Sequence, residues 1–167
     1  MLTTLLALAL AAAAPAEGHQ RDVETAVFEL CPQVVAGTLD LADPARLAAA
    51  GYTATAPRQV QDGTNPRAVR GSGTGQIVIS GSFSEGRGIC SVWFGGPGNR
   101  DAARALRRTA RRYGYGNGSV LRLGDDTEMR IFRQPRGNEQ TMTIFDADAG
   151  GELEFEPATT VVIMRGI

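Results

Sequence analysis

The C-terminal half of the chain contains five strand-like segments joined by links of only two to five residues. The segments are SVLRL, EMRIFRQ, QTMTIFDAD, ELEFE and TTVVIMR, and their links GDDT, PRGNE, AGG and PA have the composition of turns. Such links join antiparallel neighbours only, because a parallel pair needs a crossover of about a dozen residues or more. The spacing therefore predicts an antiparallel sheet.

An upstream hairpin is predicted where QIVISGSF and GICSVWF flank a turn between Ser84 and Gly88. Alternate residues of a strand point to opposite faces of its sheet. One face of the second segment would carry Cys90, Val92 and Phe94, and the other Ile89, Ser91 and Trp93. Because both faces hold large apolar groups, we expect this strand near the centre of the sheet.

Two helices are predicted before this hairpin. Apolar residues recur at helical spacing between Asp22 and Ala36, a segment that Pro32 is expected to end or kink. In ADPARLAAAG, Asp43 can cap a helix, Pro44 suits its first position, and Gly51 suits the left-handed conformation that ends it.

The region after the second helix is predicted to be a short strand followed by a long loop. GYTATAP has strand-like composition, whereas residues 57–75 are rich in proline, glycine, asparagine and arginine. A connection of this length is either a functional loop or disordered.

These patterns together predict an α+β fold, with N-terminal helices and one internal helix packed on one face of an antiparallel sheet. The chain has 167 residues, the length of one ordinary domain. We expect residues 17–167 to form that domain.

The first sixteen residues resemble a secretory signal peptide. An apolar run from Leu5 to Ala14 is followed by Ala14-Pro15-Ala16, whose small residues suit cleavage after Ala16. The run is shorter than the roughly 20 apolar residues of a membrane span. It departs from the usual pattern in having no lysine or arginine before the apolar run. The sequence therefore predicts a protein without a membrane span that is exported to the periplasm or secreted.

Export determines how the two cysteines are interpreted. Cys31 and Cys90 belong to no CxxC pair, and an even pair in an oxidising compartment usually forms a bridge. If Cys90 points inward, the disulfide would attach the first helix to the sheet. The alternative is a pair of buried free thiols.

Several catalytic classes lack the residues that they need. His19 is the only histidine, it lies close to the predicted cleavage point in a segment expected to fray, and the chain has no lysine. These facts exclude a serine or cysteine nucleophile paired with a histidine base, a histidine metal site and Schiff-base chemistry. No cofactor or metal is expected.

The glycine-rich turn before the internal helix suggests a phosphate loop, but its sequence does not fit one. A P-loop needs a lysine, and the Gly96-Pro97-Gly98 turn does not continue as GxGxxG. We expect the turn to reverse the chain direction and Asn99 to cap the helix.

The carboxylates give only weak indications of a site. Asp125 and Asp126 occupy a predicted turn, and the glutamates of ELEFE alternate with Leu153 and Phe155 along a solvated strand face. DADAGGE resembles the start of a calcium loop but has Gly150 where an EF-hand has Asp or Asn.

The internal helix is the best candidate for a binding site. At about 100° per residue, one of its faces gathers arginines and the other gathers small or apolar residues. The basic face contains Arg100, Arg104, Arg107, Arg108 and Arg111, and the face expected to pack on the sheet contains Ala102, Leu106, Thr109, Ala110 and Tyr113. The alternative is an ordinary solvated face, neutralised by nearby acids such as Asp125, Asp126 and Glu128.

The resulting functional hypothesis is a non-catalytic binding or accessory module of the bacterial envelope. Its partner would be an acidic protein or an anionic envelope component, bound by the arginine face together with Trp93 and the 57–75 loop. Because the formal net charge is −1, nucleic acid is not an expected partner. Two alternatives remain, an inhibitor of an exported hydrolase such as a lysozyme or protease, and a carboxylate-based hydrolase.

Overall fold

A computed structural model describes residues 14–60, 63–71, 75–96, 98–123, 127–134, 140–147 and 158–165. The described strands are β1 (Thr53–Val60), β2 (Gly63–Arg70), β3 (Ile77–Ser84), β4 (Arg87–Gly95), β5 (Ser119–Leu123), β6 (Thr127–Arg133), β7 (Gln140–Ala147) and β8 (Ala158–Arg165). They form one antiparallel sheet in the order β1-β2-β3-β4-β8-β7-β6-β5. The predicted α+β class is confirmed.

The helices cover one face of this sheet. They are α1 (Ala14–Thr25), α2 (Cys31–Val35), α3 (Pro44–Ala49) and α4 (Asn99–Thr109), with a π-helical turn at Ala26–Leu30 and a 3-10 turn at Ala110–Tyr113. α2 packs on β3, β4 and β8, and α4 packs against α1 and β8. Within the described residues no helix is both long enough and apolar enough to cross a membrane.

The first helical region continues past Pro32 to Val35, so the proline does not end it. The helical turn that precedes Pro32 is the π turn. There the backbone N–H of Cys31 donates to the carbonyl of Ala26, five residues back instead of four. A proline has no N–H and clashes with the carbonyl four residues earlier in a regular helix. The π turn contains one residue more than a regular helical turn, and it lies directly before the segment that contains the proline.

The disulfide and a close backbone contact hold α2 against the sheet. Cys31 and Cys90 are bonded, with their Cα atoms 5.4 Å apart and both side chains fully buried. As predicted, Cys90 shares its face of β4 with Val92 and Phe94, which are also fully buried. At Gly88 an added Cβ would collide with the backbone of Val35, so glycine is needed where the helix approaches β4.

The signals around α3 and the β3–β4 hairpin are confirmed. Asp43 accepts hydrogen bonds from the N–H groups of Ala45 and Arg46, and Gly51 follows the helix with a φ of 77°. Glu85 and Gly86 form the hairpin turn, both with positive φ, which matches the twist of the flanking strands. β4 is central, as expected.

The prediction of a long loop at residues 57–75 is wrong, because most of this region belongs to β1 and β2. The register of the pair shifts between Thr55 and Arg58, and Pro57 lies within that interruption. Pro66 is on β2, the strand that faces β1. It lies next to the residue at which the pairing between β2 and β3 ends. Proline is tolerated in sheets at edges and bulges, so these prolines interrupt the pairing without preventing the strands.

Four of the five C-terminal strand predictions are confirmed as β5, β6, β7 and β8. The fifth, ELEFE, lies outside the described residues, as do Asp125, Asp126 and most of DADAGGE. Residues 1–13 of the predicted signal peptide 1–16 are also outside them. β8 lies between β4 and β7, which joins the two halves of the sheet.

Candidate binding surface

α4 packs against the rest of the protein through the side that carries its alanines and Leu106. Ala102, Leu106 and Ala110 are at most 1% exposed, as the helical spacing predicted. Thr109 lies at the edge of this side, with its Oγ1 3.5 Å from Oε1 of Glu24 on α1. The apolar side therefore faces the protein and the arginine side faces outward.

Tyr113 does not pack on the sheet, contrary to prediction. Its ring is 40% exposed and stacks on Phe28 of the π turn, with ring centroids 4.4 Å apart. The helix tightens into a 3-10 turn at Ala110, so Tyr113 leaves the angular position that a continued α-helix would give it.

Four of the five predicted arginines, Arg100, Arg104, Arg108 and Arg111, are exposed. Arg104 donates to Asp101 at 2.8 Å, but both side chains are more than half exposed, and such pairs are worth about 0–1 kcal/mol. Arg111 donates to Oδ1 of Asn117 at 2.6 Å.

Arg107 differs from the others because it is half-buried on the side of α4 that faces β6. Burial, reinforced by the neighbouring Arg130 and Arg104, lowers the pKa of Arg107, while Glu128 opposes the shift. Nε of Arg130 donates to Glu128 at 2.7 Å. The Glu128 carboxylate thus lies close to two guanidinium groups, which partly confirms the expected neutralisation.

Glu128 and Arg130 lie on the helix-covered face of the sheet. Phe132, two residues beyond Arg130, pairs with the fully buried Met142, and residues directly opposite each other share a face. The same register places Val120 and Arg122 of β5 on this face, opposite Arg130 and Glu128.

α4 does not extend over β5. Val120 is 48% exposed, and Arg122 is also exposed, although both are on the helix side of the sheet. We call the combined region the arginine surface. It consists of Arg100, Arg104, Arg107, Arg108 and Arg111 from α4, with Arg122 and Arg130 from the sheet.

The start of α4 is not organised as a phosphate site. Asn99 is the first helical residue and is buried, so it is not the predicted cap. The cap is Gly98, whose φ of 87° is in the left-handed region, and its carbonyl accepts from the N–H groups of Asp101 and Ala102. The Asp101 carboxylate in the first turn is unfavourable for a bound anion.

Trp93 does not belong to the arginine surface. It alternates with Val92 and Phe94 along β4, so it lies on the sheet face opposite α4, next to Val78 and Thr160. The strand alternation itself was predicted correctly. The placement of α4 relative to Trp93 depends on which face the helix covers, which the alternation does not specify.

Other polar groups near α1 have structural roles. Arg70 pairs with Asp22 at 2.8 Å and donates to the carbonyl of Ala50, which links β2, α1 and the end of α3.

His19 is helical and lies edge-on to Phe94, so the expected fraying is wrong. The described residues contain no group of three histidine, cysteine, aspartate or glutamate side chains suited to a metal ion.

Two shallow clefts lie away from the arginine surface. One, of about 300 Å³, is bordered by Val34, Asp40 and Phe83, and the other, of about 390 Å³, is bordered by Glu85 and Met164 at the β3–β4 turn. Among the described residues each cleft is lined by one carboxylate, Asp40 or Glu85, whereas hydrolysis by paired carboxylates needs two.

Comparison of the chain with protein-family models, with curated proteins and with solved structures gave no significant match.

Proposed function

We propose that this protein is an exported, non-catalytic binding module of the bacterial envelope whose arginine surface contacts an anionic partner. The supporting observation is the arrangement of charge on α4 and the following turn. Residues 99–113 include six arginines and one acidic residue, Asp101. The side opposite these arginines is buried, and five of the six arginines are exposed to solvent, the exception being the half-buried Arg107.

The surroundings of Arg107 make an anion favourable at this surface. Its guanidinium is half-buried near a second arginine, Arg130, and the Glu128 carboxylate lies near both. An added carboxylate or phosphate would relieve the repulsion between like charges and accept paired hydrogen bonds from a guanidinium.

Export is supported by the N-terminal sequence and by the buried disulfide. Disulfides persist in the periplasm and outside the cell, and are rare in the cytosol. The absence of lysine and the position of His19 against a phenylalanine ring favour binding over nucleophilic catalysis.

One of the two alternatives has lost some of its support. The inhibitor hypothesis relied on a long loop that could enter an enzyme cleft, and most of that loop is paired in β1 and β2. The carboxylate-hydrolase hypothesis depends on acids that lie outside the described residues, so it stays a prediction.

The test is binding to two defined anionic probes, polyglutamate and vesicles of anionic lipid, measured by calorimetry at two salt concentrations. We expect the parent protein to bind one of them, more weakly at high salt because exposed charges are screened. Reversing Arg104, Arg108 and Arg111 to glutamate should abolish binding without unfolding the protein.

A matched control reverses Arg21, Arg87 and Arg133, which are exposed elsewhere and give the same change in net charge. This variant should still bind. Equal loss in both variants, or no binding by the parent, would contradict the proposal.

A further inference from the structure

The two edges of the sheet are built differently. β1 contains Pro57 and a register shift, features that discourage pairing with another strand. β5 pairs with β6 without interruption from Ser119 to Leu123 and contains no proline. An uninterrupted edge of this kind presents a row of unpaired backbone N–H and C=O groups.

β5 also exposes apolar side chains on both of its faces. Val120 on the helix side is 48% exposed, and Leu121 on the opposite side is 49% exposed. In the part of the chain that the structure describes, β5 pairs with β6 alone. Its edge therefore has both the hydrogen-bonding groups and the apolar contacts that an added strand uses.

The charges specify what kind of strand would fit. On the helix side an added strand would face Arg122, with Arg130 and Arg107 behind it. On the opposite side it would face Leu121, which pairs with Met129. The complementary segment alternates acidic residues toward the arginines with apolar residues toward Leu121.

A second copy of this chain fits the edge poorly. Antiparallel pairing of two β5 strands about a two-fold axis would place both arginine surfaces on the same side of one continuous sheet. Two surfaces of like charge would then lie close together, which is unfavourable.

We propose that β5 accepts an extended, acidic segment of a partner protein as an additional strand. This inference rests on the proposed function, since it identifies the anionic partner as a polypeptide and gives its mode of binding. The backbone would provide affinity, and the arginine surface would select acidic side chains.

The test uses the parent protein and a ten-residue peptide that alternates glutamate and valine, with both ends blocked. A second peptide of the same sequence is N-methylated at consecutive central amides, which keeps every charge and removes the backbone donors. We expect N-methylation to weaken binding at least about tenfold, because several hydrogen bonds are lost. The amides of β5 should also exchange more slowly with solvent when the unmodified peptide binds.

Two variants test the edge. Arg122→Glu should weaken binding of the unmodified peptide about tenfold or more, since it replaces attraction by repulsion. Arg87→Glu, an exposed control at the β3–β4 turn, should bind as the parent does.

The outcomes separate this inference from the proposed function. If the N-methylated peptide and polyglutamate bind as well as the unmodified peptide, binding depends on charge alone, and strand addition is wrong while the proposed function stands. If no anionic probe binds, both are wrong. A dimer of the parent in solution that Leu121→Lys dissociates would assign the edge to a second copy and overturn the inference.

Discussion

The helix-covered face of the sheet differs between its two halves. In the middle of β3, β4 and β8 this face is apolar, and the residues there that are at most 1% exposed include Ile77, Ile79, Val92, Phe94, Val161 and Ile163. On β5 and β6 the same face contains Val120, Arg122, Glu128 and Arg130, which are at least partly exposed, together with the buried Phe132. One half is a dry core, and the other remains accessible.

The difference follows from how closely the helices approach. α2 is bonded to β4 through Cys31 and approaches it over Gly88, which has no side chain to hold it away. α4 places the Arg107 side chain near Glu128 and Arg130 of β6, but the helix does not cover β5. An entirely apolar face would be unfavourable where no helix covers it, whereas arginines with a nearby carboxylate are compatible with water.

The largest expected effect is loss of the disulfide in the covered half. Replacing Cys31 and Cys90 together with alanine should lower the free energy of unfolding by about 4 kcal/mol, because the bridge closes a loop of about 60 residues in the unfolded chain. Urea denaturation measures this. Reduced parent protein should show a similar loss, and a loss below about 1 kcal/mol would mean that α2 is held by packing alone.

The next effect concerns the attachment of α4 to the rest of the protein. Leu106→Ala should destabilise the protein by about 3 kcal/mol, since a fully buried leucine leaves a cavity. Val120→Ala on β5 should change stability by less than about 0.5 kcal/mol. Similar losses in both variants would show that the two positions are equally buried in solution, which would contradict the distinction between the halves.

The local features of this fold could be predicted from the sequence. The α3 cap at Asp43, the β3–β4 turn and the inward position of Cys90 depend on neighbouring residues, and they are confirmed. The arginine face of α4 followed from helical spacing alone. Such features depend on periodicity and turn chemistry within a few residues.

The features that were missed depend on distant parts of the chain. Pro57 and Pro66 indicate a loop when taken separately, and they fit a sheet only because each lies where the pairing is already interrupted. Arg122 and Arg130 alternate in their strands like ordinary solvated residues. Their relation to Arg107 arises from the position of α4 over the sheet, which no local pattern specifies.

A smaller effect is expected where the chain returns from α4 to the sheet. Tyr115 is buried, and its hydroxyl donates to Oε1 of Gln140 at 3.3 Å. Burial raises the pKa of this tyrosine well above its usual value. Tyr115→Phe should lower the free energy of unfolding by about 1 kcal/mol, because Gln140 loses its donor.

Tyr113→Phe is the matched control, since that ring is half-exposed and its stacking on Phe28 is retained. It should leave stability unchanged within about 0.5 kcal/mol. If Tyr113→Phe destabilises as much as Tyr115→Phe does, the buried hydrogen bond is not the cause.

The smallest effect is a pH dependence of the folding stability that comes from His19, which lies against the helix-covered half of the sheet. His19 lies edge-on to Phe94, and its Nε2 is buried without a hydrogen-bond partner among the described residues. Burial lowers the pKa of His19, and the Asp22 carboxylate only partly offsets this. The imidazolium needs partners for both N–H groups, so the fold favours the neutral form.

The stability that His19 contributes is therefore fully present above the unfolded-state pKa of about 6.5. It is lost as the pH falls through the lower folded-state pKa, because the unfolded chain then binds a proton that the folded protein resists. As the only histidine, His19 gives a single imidazole titration by nuclear magnetic resonance, and its midpoint should lie below 6.5. His19→Gln should flatten the stability curve between about pH 5 and 7. A midpoint above 6.5 would mean that Asp22 outweighs burial and that this end of α1 is open to water, unlike the core beneath α2.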